Sequence, residues 1–261
     1  MGTLPDTLES YARVLQGPLI GSFFSMLLYG VGCVQAFFYF QTYPDDLVRL
    51  KCLVAIIWIL ESIHTAFLIS FINTCFINGF GNLVVLDRIP WDLLVSFEIS
   101  FLISFIVNLF FVWRVWIFSE KIWAVGLLVS SSTYDQCMVG LDKSQLLLST
   151  ARYVIGTVAL ALGWESFKDH AYALLAVAMG VAILGDALLA LILAYYLRDK
   201  RTPSSAHLVA QILAYVVGTG ALTSMVIIMD LVSILASPNN LIFIPFGMVL
   251  ARLYANSALL S

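Results

Sequence analysis

Long apolar runs broken by short polar turns dominate this chain. Residues 18–41 form the first run, from Pro18 through Phe40, and residues 50–73 form the second. A turn-rich loop, NGFGNLVVLDRIPWD, follows, and Pro90 stands where a helix should begin. The third run covers 91–117 and closes on Trp113, Arg114 and Trp116. Runs at 146–164, 171–197, 205–236 and 241–260 complete a set of seven. Each is long enough for a membrane helix, which needs about 20 apolar residues. The stretch SSSTYDQCMVGLDKSQ at 130–145 is too polar to cross lipid and reads as an insertion interrupting the fourth span.

Composition points the same way. Of 261 residues, 61% are hydrophobic and only 11% charged, against roughly 25% charged in a soluble domain. Such a chain cannot cover a water-facing surface, so lipid is its expected solvent. The expected fold is all-α, a single seven-helix membrane domain spanning 1–261, with no length left for a soluble catalytic domain. The net charge of −3 gives no case for nucleic acid as a partner. The bilayer is the expected partner, and an apolar small molecule is the candidate ligand class. The protein belongs in the plasma membrane or an endomembrane. The first run is too long for a signal-peptide core and is expected to be retained.

Basic residues set the expected orientation. Arg49, Lys51, Arg114, Lys121, Arg198, Lys200 and Arg201 follow the first, third and fifth spans, whereas the opposite side holds Arg13, Arg88 and Lys168. Lys and Arg in short loops mark the cytoplasmic side. The N-terminus is therefore expected outside and the C-terminus inside. Trp91 at one interface, and Trp113, Trp116, Tyr195 and Tyr196 at the other, fit the aromatic belts.

Cys33, Cys52, Cys75 and Cys137 form no framework and no CxxC, and His64, His170 and His207 are scattered. No metal site or cofactor is expected. The last span carries Arg252 and no lysine, which excludes a retinal Schiff base. The three scattered histidines cannot build a zinc hydrolase centre. An Asp/Glu-Arg-Tyr at the end of the third span and an Asn-Pro-x-x-Tyr in the seventh are also missing, so the usual G-protein-coupled receptor marks fail.

Several blocks resemble a large seven-helix membrane family abundant in basidiomycete fungi and catalogued as a domain of unknown function. They are PLIGSFFSMLLYGVGCVQAFFYF at 18–40, YPDDLVRLKCLVAIIWILESIHTAF at 43–67, and Phe80-Gly81-Asn82 with Trp91. Asp186 followed by TyrTyrLeu at 195–197, GTGALTS at 218–224 and ARLYANSALL at 251–260 continue the likeness. The resemblance covers nearly the whole chain except 130–145, whose place suggests a retained intron or a lineage-specific loop. It implies a fold and a membrane location, and no ligand or reaction.

Ionisable groups inside a span cost about 2.5–3.5 kcal/mol each at the helix centre, which makes them the default candidates for function. Here they are Glu61, His64, Asp186, Asp230 and Arg252, with Asn256 beside them and Glu98 near the outer interface. Glu61 and His64 are three apart and share a helix face, as do Arg252 and Asn256 at four. The first reading is an intramembrane polar network that locks the bundle, with Arg252 ion-paired to one carboxylate. Counting depth at 1.5 Å per residue ranks Glu61 first as its partner, Asp186 second and Asp230 last. The alternative is a small membrane enzyme, similar in size and helix count to membrane terpene cyclases, with Glu61 and Asp230 as candidate acids. A Glu61 paired with Arg252 would deprive that reading of its acid. Gly17-x-x-x-Gly21 and Gly218/Gly220 read as sites of close helix approach.

Overall fold

A computed structural model describes residues 4–80, 90–126, 179–187, 206–236 and 243–260, together with positions 147, 150, 151, 153, 154, 157, 176 and 177. Every regular element among them is helical. The helices are α1 (Leu4–Thr42), α2 (Val48–Asn73), α3 (Trp91–Gly126), α4 (Ala206–Ala236) and α5 (Ile244–Leu260). The polar stretch 130–145 lies outside the described residues, as do most of the spans expected at 146–164 and 171–197.

Among the described residues, three helical spans are long and apolar enough to cross a membrane: Val14–Thr42, Val48–Asn78 and Trp91–Phe111. Gly220–Ala236 and Ile244–Leu260 are shorter apolar helices. Phe23, Phe24, Leu27, Phe37 and Phe38 project outward from α1, each more than half exposed. An apolar surface that continuous suits lipid rather than water.

Helix limits depart from the hydrophobic runs where polarity is a poor guide to backbone. α1 starts at Leu4 instead of 18 and carries Pro18 inside it. A proline costs its helix one backbone bond without stopping the chain, a break tolerated in apolar spans. The second helix starts two residues early, held by backbone bonds from Leu50 and Lys51 to the Leu47 carbonyl. It ends in a π-helical turn at Thr74–Asn78. α3 continues nine residues past 117, beyond the aromatic cluster. Pro90 caps its start, its carbonyl accepting from the amides of Leu93 and Leu94.

Cross-helix contacts give each helix a direction. Along α1 and α5, Gly21 meets Pro245, Ser25 meets Arg252, and the Leu28 carbonyl meets Asn256. Both numbers rise together, so these helices run parallel. α2 runs against α1, since Tyr29 pairs with Ser62 and Cys33 with Trp58. It also runs against α3, whose Asp92 accepts from Ser70 and Thr74 near the far end of α2.

α5 is the central element and packs against α1, α3 and α4. Small residues at its contacts explain why. A Cβ on Gly21 would lie 2.5 Å from the Pro245 Cα, so α1 and α5 touch backbone to backbone there. A Cβ on Gly247 would lie 2.6 Å from the Phe97 ring of α3. Gly218, by contrast, has no heavy atom within 4 Å of such a Cβ among the described residues.

Among the described residues, the core falls into two apolar clusters. One gathers Leu15, Leu68, Phe71, Leu93, Ile234, Ile244 and Met248. The other gathers Ile57, Ile103, Val107, Ala182, Ile227, Leu250 and Tyr254. The helix directions put the first at the start of α5 and the second at its end. Between them lies a polar layer: Glu61, His64 and Thr65 on α2, Ser96 and Ser100 on α3, and Asp230 on α4, all buried.

Candidate functional site

Arg252 is the largest fully buried side chain among the described residues, at 0% exposure. It stands at mid-helix on α5, with Ala251 and Ala255 beside it leaving room for its long stem. A buried guanidinium needs both a counter-charge and acceptors for its fork of five N–H groups. Both are present. Nη1 donates to the Glu61 carboxylate and, at 2.9 Å, to the Glu61 backbone carbonyl. Nη2 donates to Thr65 Oγ1 at 2.8 Å, and Nε to Ser25 Oγ at 3.1 Å. The Tyr29 ring centroid lies 5.2 Å from Cζ, within cation–π range. One side chain of α5 therefore ties α1 and α2 together.

α2 supplies this acceptor set through its periodicity. Glu61 and Thr65 are four apart and stack on one face, and the Thr65 hydroxyl also bonds back to the Glu61 carbonyl at 2.8 Å. His64 shares the buried side of the helix at 0% exposure. Neither of its ring nitrogens has a hydrogen-bond partner among the described residues, and the same holds for Glu61 Oε1.

The remaining polar residues separate from Arg252. Asn256, one turn on, donates from Nδ2 to the Leu28 carbonyl of α1 at 3.1 Å. Asp186 lies on the opposite side of α5, where its Oδ2 accepts from Tyr254 at 2.6 Å and Thr223 at 3.0 Å. Asp230 is buried at 3% exposure on α4, and its Oδ1 has no partner among the described residues. The structure thus joins Arg252 to Glu61 and joins neither aspartate to it. Glu98, placed near the outer interface by the sequence, is partly buried and accepts from Tyr153 and Thr157, both at 3.1 Å.

Sequence reasoning missed Asp92, buried at 1% and clamped by Ser70 and Thr74 at 3.1 Å each. It also missed Ser25, Thr65, Thr223 and Tyr254. Thr65 carried a usable signal, its spacing of four from Glu61. No group of three His, Cys, Asp or Glu side chains able to hold a metal ion occurs among the described residues.

A family model described as a family of unknown function (DUF6534) matches residues 182–261. That region holds Asp186, Asp230, Arg252 and Asn256, while Glu61 and His64 lie upstream of it. No curated protein and no solved structure matches the chain.

Proposed function

We propose that the chain is a seven-helix, multi-pass membrane protein, receptor-like or membrane-organising rather than catalytic, locked by an intramembrane polar network around Arg252. The observation that carries this reading is the engagement of Arg252 by Glu61, Thr65 and Ser25 on two other helices. A carboxylate serving as counter-ion to a buried guanidinium is a poor proton donor for a hydrocarbon substrate. The cyclase-like alternative would then rest on Asp230 alone. Asn256 adds a second polar tie from α5 to α1 and Asp186 a separate one between α4 and α5, while Asp230 stands apart on α4. An apolar small molecule is the ligand class such a bundle would admit from the bilayer.

Helix direction supports the count of seven. α3 runs with α5 and α4 runs against it, so an even number of crossings separates α3 from α4. The apolar runs at 146–164 and 171–197 supply two. Glu98 meets Thr157 and Tyr153, while Phe105, further along α3, stacks on Tyr153, the direction of a returning helix. Met179 shares a cluster with Met248, and Asp186 meets Tyr254, the direction of a helix parallel to α5. Basic-residue asymmetry then puts the N-terminus outside and the C-terminus inside, in the plasma membrane or an endomembrane.

The experiment is a pair of terminal reporters on the full chain in cells. The expected result is an N-terminal epitope on the non-cytoplasmic side and a C-terminal reporter in the cytoplasm. Both termini on one side would sink the seven-helix reading.

A further inference from the structure

The polar layer between the two apolar clusters holds more hydrogen-bonding capacity than its own side chains use. His64 is wholly buried, and neither Nδ1 nor Nε2 has a partner among the described residues. Glu61 spends Oε2 on Arg252 and leaves Oε1 unpartnered, though buried. Being three apart on α2, the two side chains are neighbours.

Helix register brings a third group to the same depth. Asp92 of α3 meets Ser70 and Thr74 of α2. Counting back along the antiparallel pair from these two contacts places Ser104 opposite residues 58–62. Ser104 follows seven residues after Phe97, so it lies on the stripe of α3 that meets α5 at Gly247. Its hydroxyl is buried and also unpartnered among the described residues. Register therefore brings three buried side chains with unpartnered polar atoms, two on α2 and one on α3, to neighbouring depths beside α5. Leaving each of them dry would cost about 1–3 kcal/mol.

The chemistry of the set selects its occupant. The charges of Glu61 and Arg252 cancel, so that pair lends these side chains no net charge with which to hold an ion. Glu61 Oε1 accepts, a neutral imidazole carries one donor and one acceptor, and the serine hydroxyl can do either. We propose that these side chains bind a neutral hydroxyl group, hydrogen-bonded to His64, Glu61 Oε1 and Ser104. Its source is either internal water or the hydroxyl head of an apolar molecule drawn from the bilayer. Buried waters in folded proteins typically make about three such bonds. The inference rests on the membrane reading only in taking lipid as the surroundings of the bundle.

The test is magnetic resonance on the full chain in lipid nanodiscs with histidine labelled in its ring nitrogens. The three histidines give three ring signals, and His64→Phe identifies the one of interest. If that variant fails to fold, His170→Gln and His207→Gln assign it by elimination. The expected result is magnetisation transfer to the His64 ring from water, or from the protons of a co-purified molecule that exhaustive delipidation removes. Either outcome supports the site, and they distinguish its two sources. Ser104→Ala should weaken the transfer while leaving the melting temperature nearly unchanged. No transfer from any hydroxyl, in a protein that melts cooperatively, overturns the proposal. With the reporter topology intact, that dry result leaves the seven-helix reading standing.

Discussion

Arg252 and Glu61, 191 residues apart in the chain, meet inside the bundle as a buried ion pair. The guanidinium also takes the Glu61 carbonyl, so α2 is held through both its backbone and its side chain. That double grip fixes the rotation and the depth of α2 relative to α5. Pairs of this kind contribute modestly to net stability but are costly to break from one side.

The α1–α5 seam depends on a missing side chain. Gly21→Leu should destabilise the protein by about 1–3 kcal/mol, the usual cost of overpacking, because the obstacle is the Pro245 backbone and cannot swing aside. A Cβ on Gly30 of the same helix meets no heavy atom within 4 Å among the described residues, so Gly30→Ala has room. It should be neutral or stabilising by up to about 1 kcal/mol. Thermal melting in detergent compares the two, and equal effects would refute the close approach.

Asp186 joins α4 and α5 through Thr223 and Tyr254. Tyr254→Phe should lower stability by about 1–2 kcal/mol, within the range for hydrogen bonds between membrane helices. Thr223→Val should cost less, because that hydroxyl also has the Gly220 carbonyl within reach at 3.0 Å. A larger loss from Thr223→Val would show that α4 packing, and not the carboxylate, sets the energy.

The polar stretch 130–145 holds Ser130, Ser131, Ser132, Asp135, Asp142 and Lys143. Deleting it should leave expression and membrane insertion intact or improve them. Loss of the folded protein would make the segment part of a span and change the helix count.

Much of this was legible in the sequence because lipid imposes a coarse rule on it. The apolar runs at 50–73, 205–236 and 241–260 fall within a few residues of α2, α4 and α5. Depth counting ranked Glu61 first for Arg252, since both helices are regular and their ends are marked by turns. The same counting could not see rotation, and so gave no sign that Asp186 faces Tyr254 and Thr223 instead. Serine and threonine partners leave no mark in a hydrophobic profile. Asp92 was illegible because a carboxylate at a helix start reads as solvated until Ser70 and Thr74 are seen to enclose it. The early start of α1 was hidden by Pro18, normally a helix-start signal.

The most direct measurement is a double-mutant cycle on the central pair: Glu61→Gln, Arg252→Gln and the double variant, with unfolding free energies measured in lipid or detergent. Each single change strands a buried polar group and should cost about 3–5 kcal/mol. The double variant should lose clearly less than the sum of the two, because removing the second partner relieves the first. Additive losses, or negligible ones, would contradict the lock and return Glu61 to the role of an available acid.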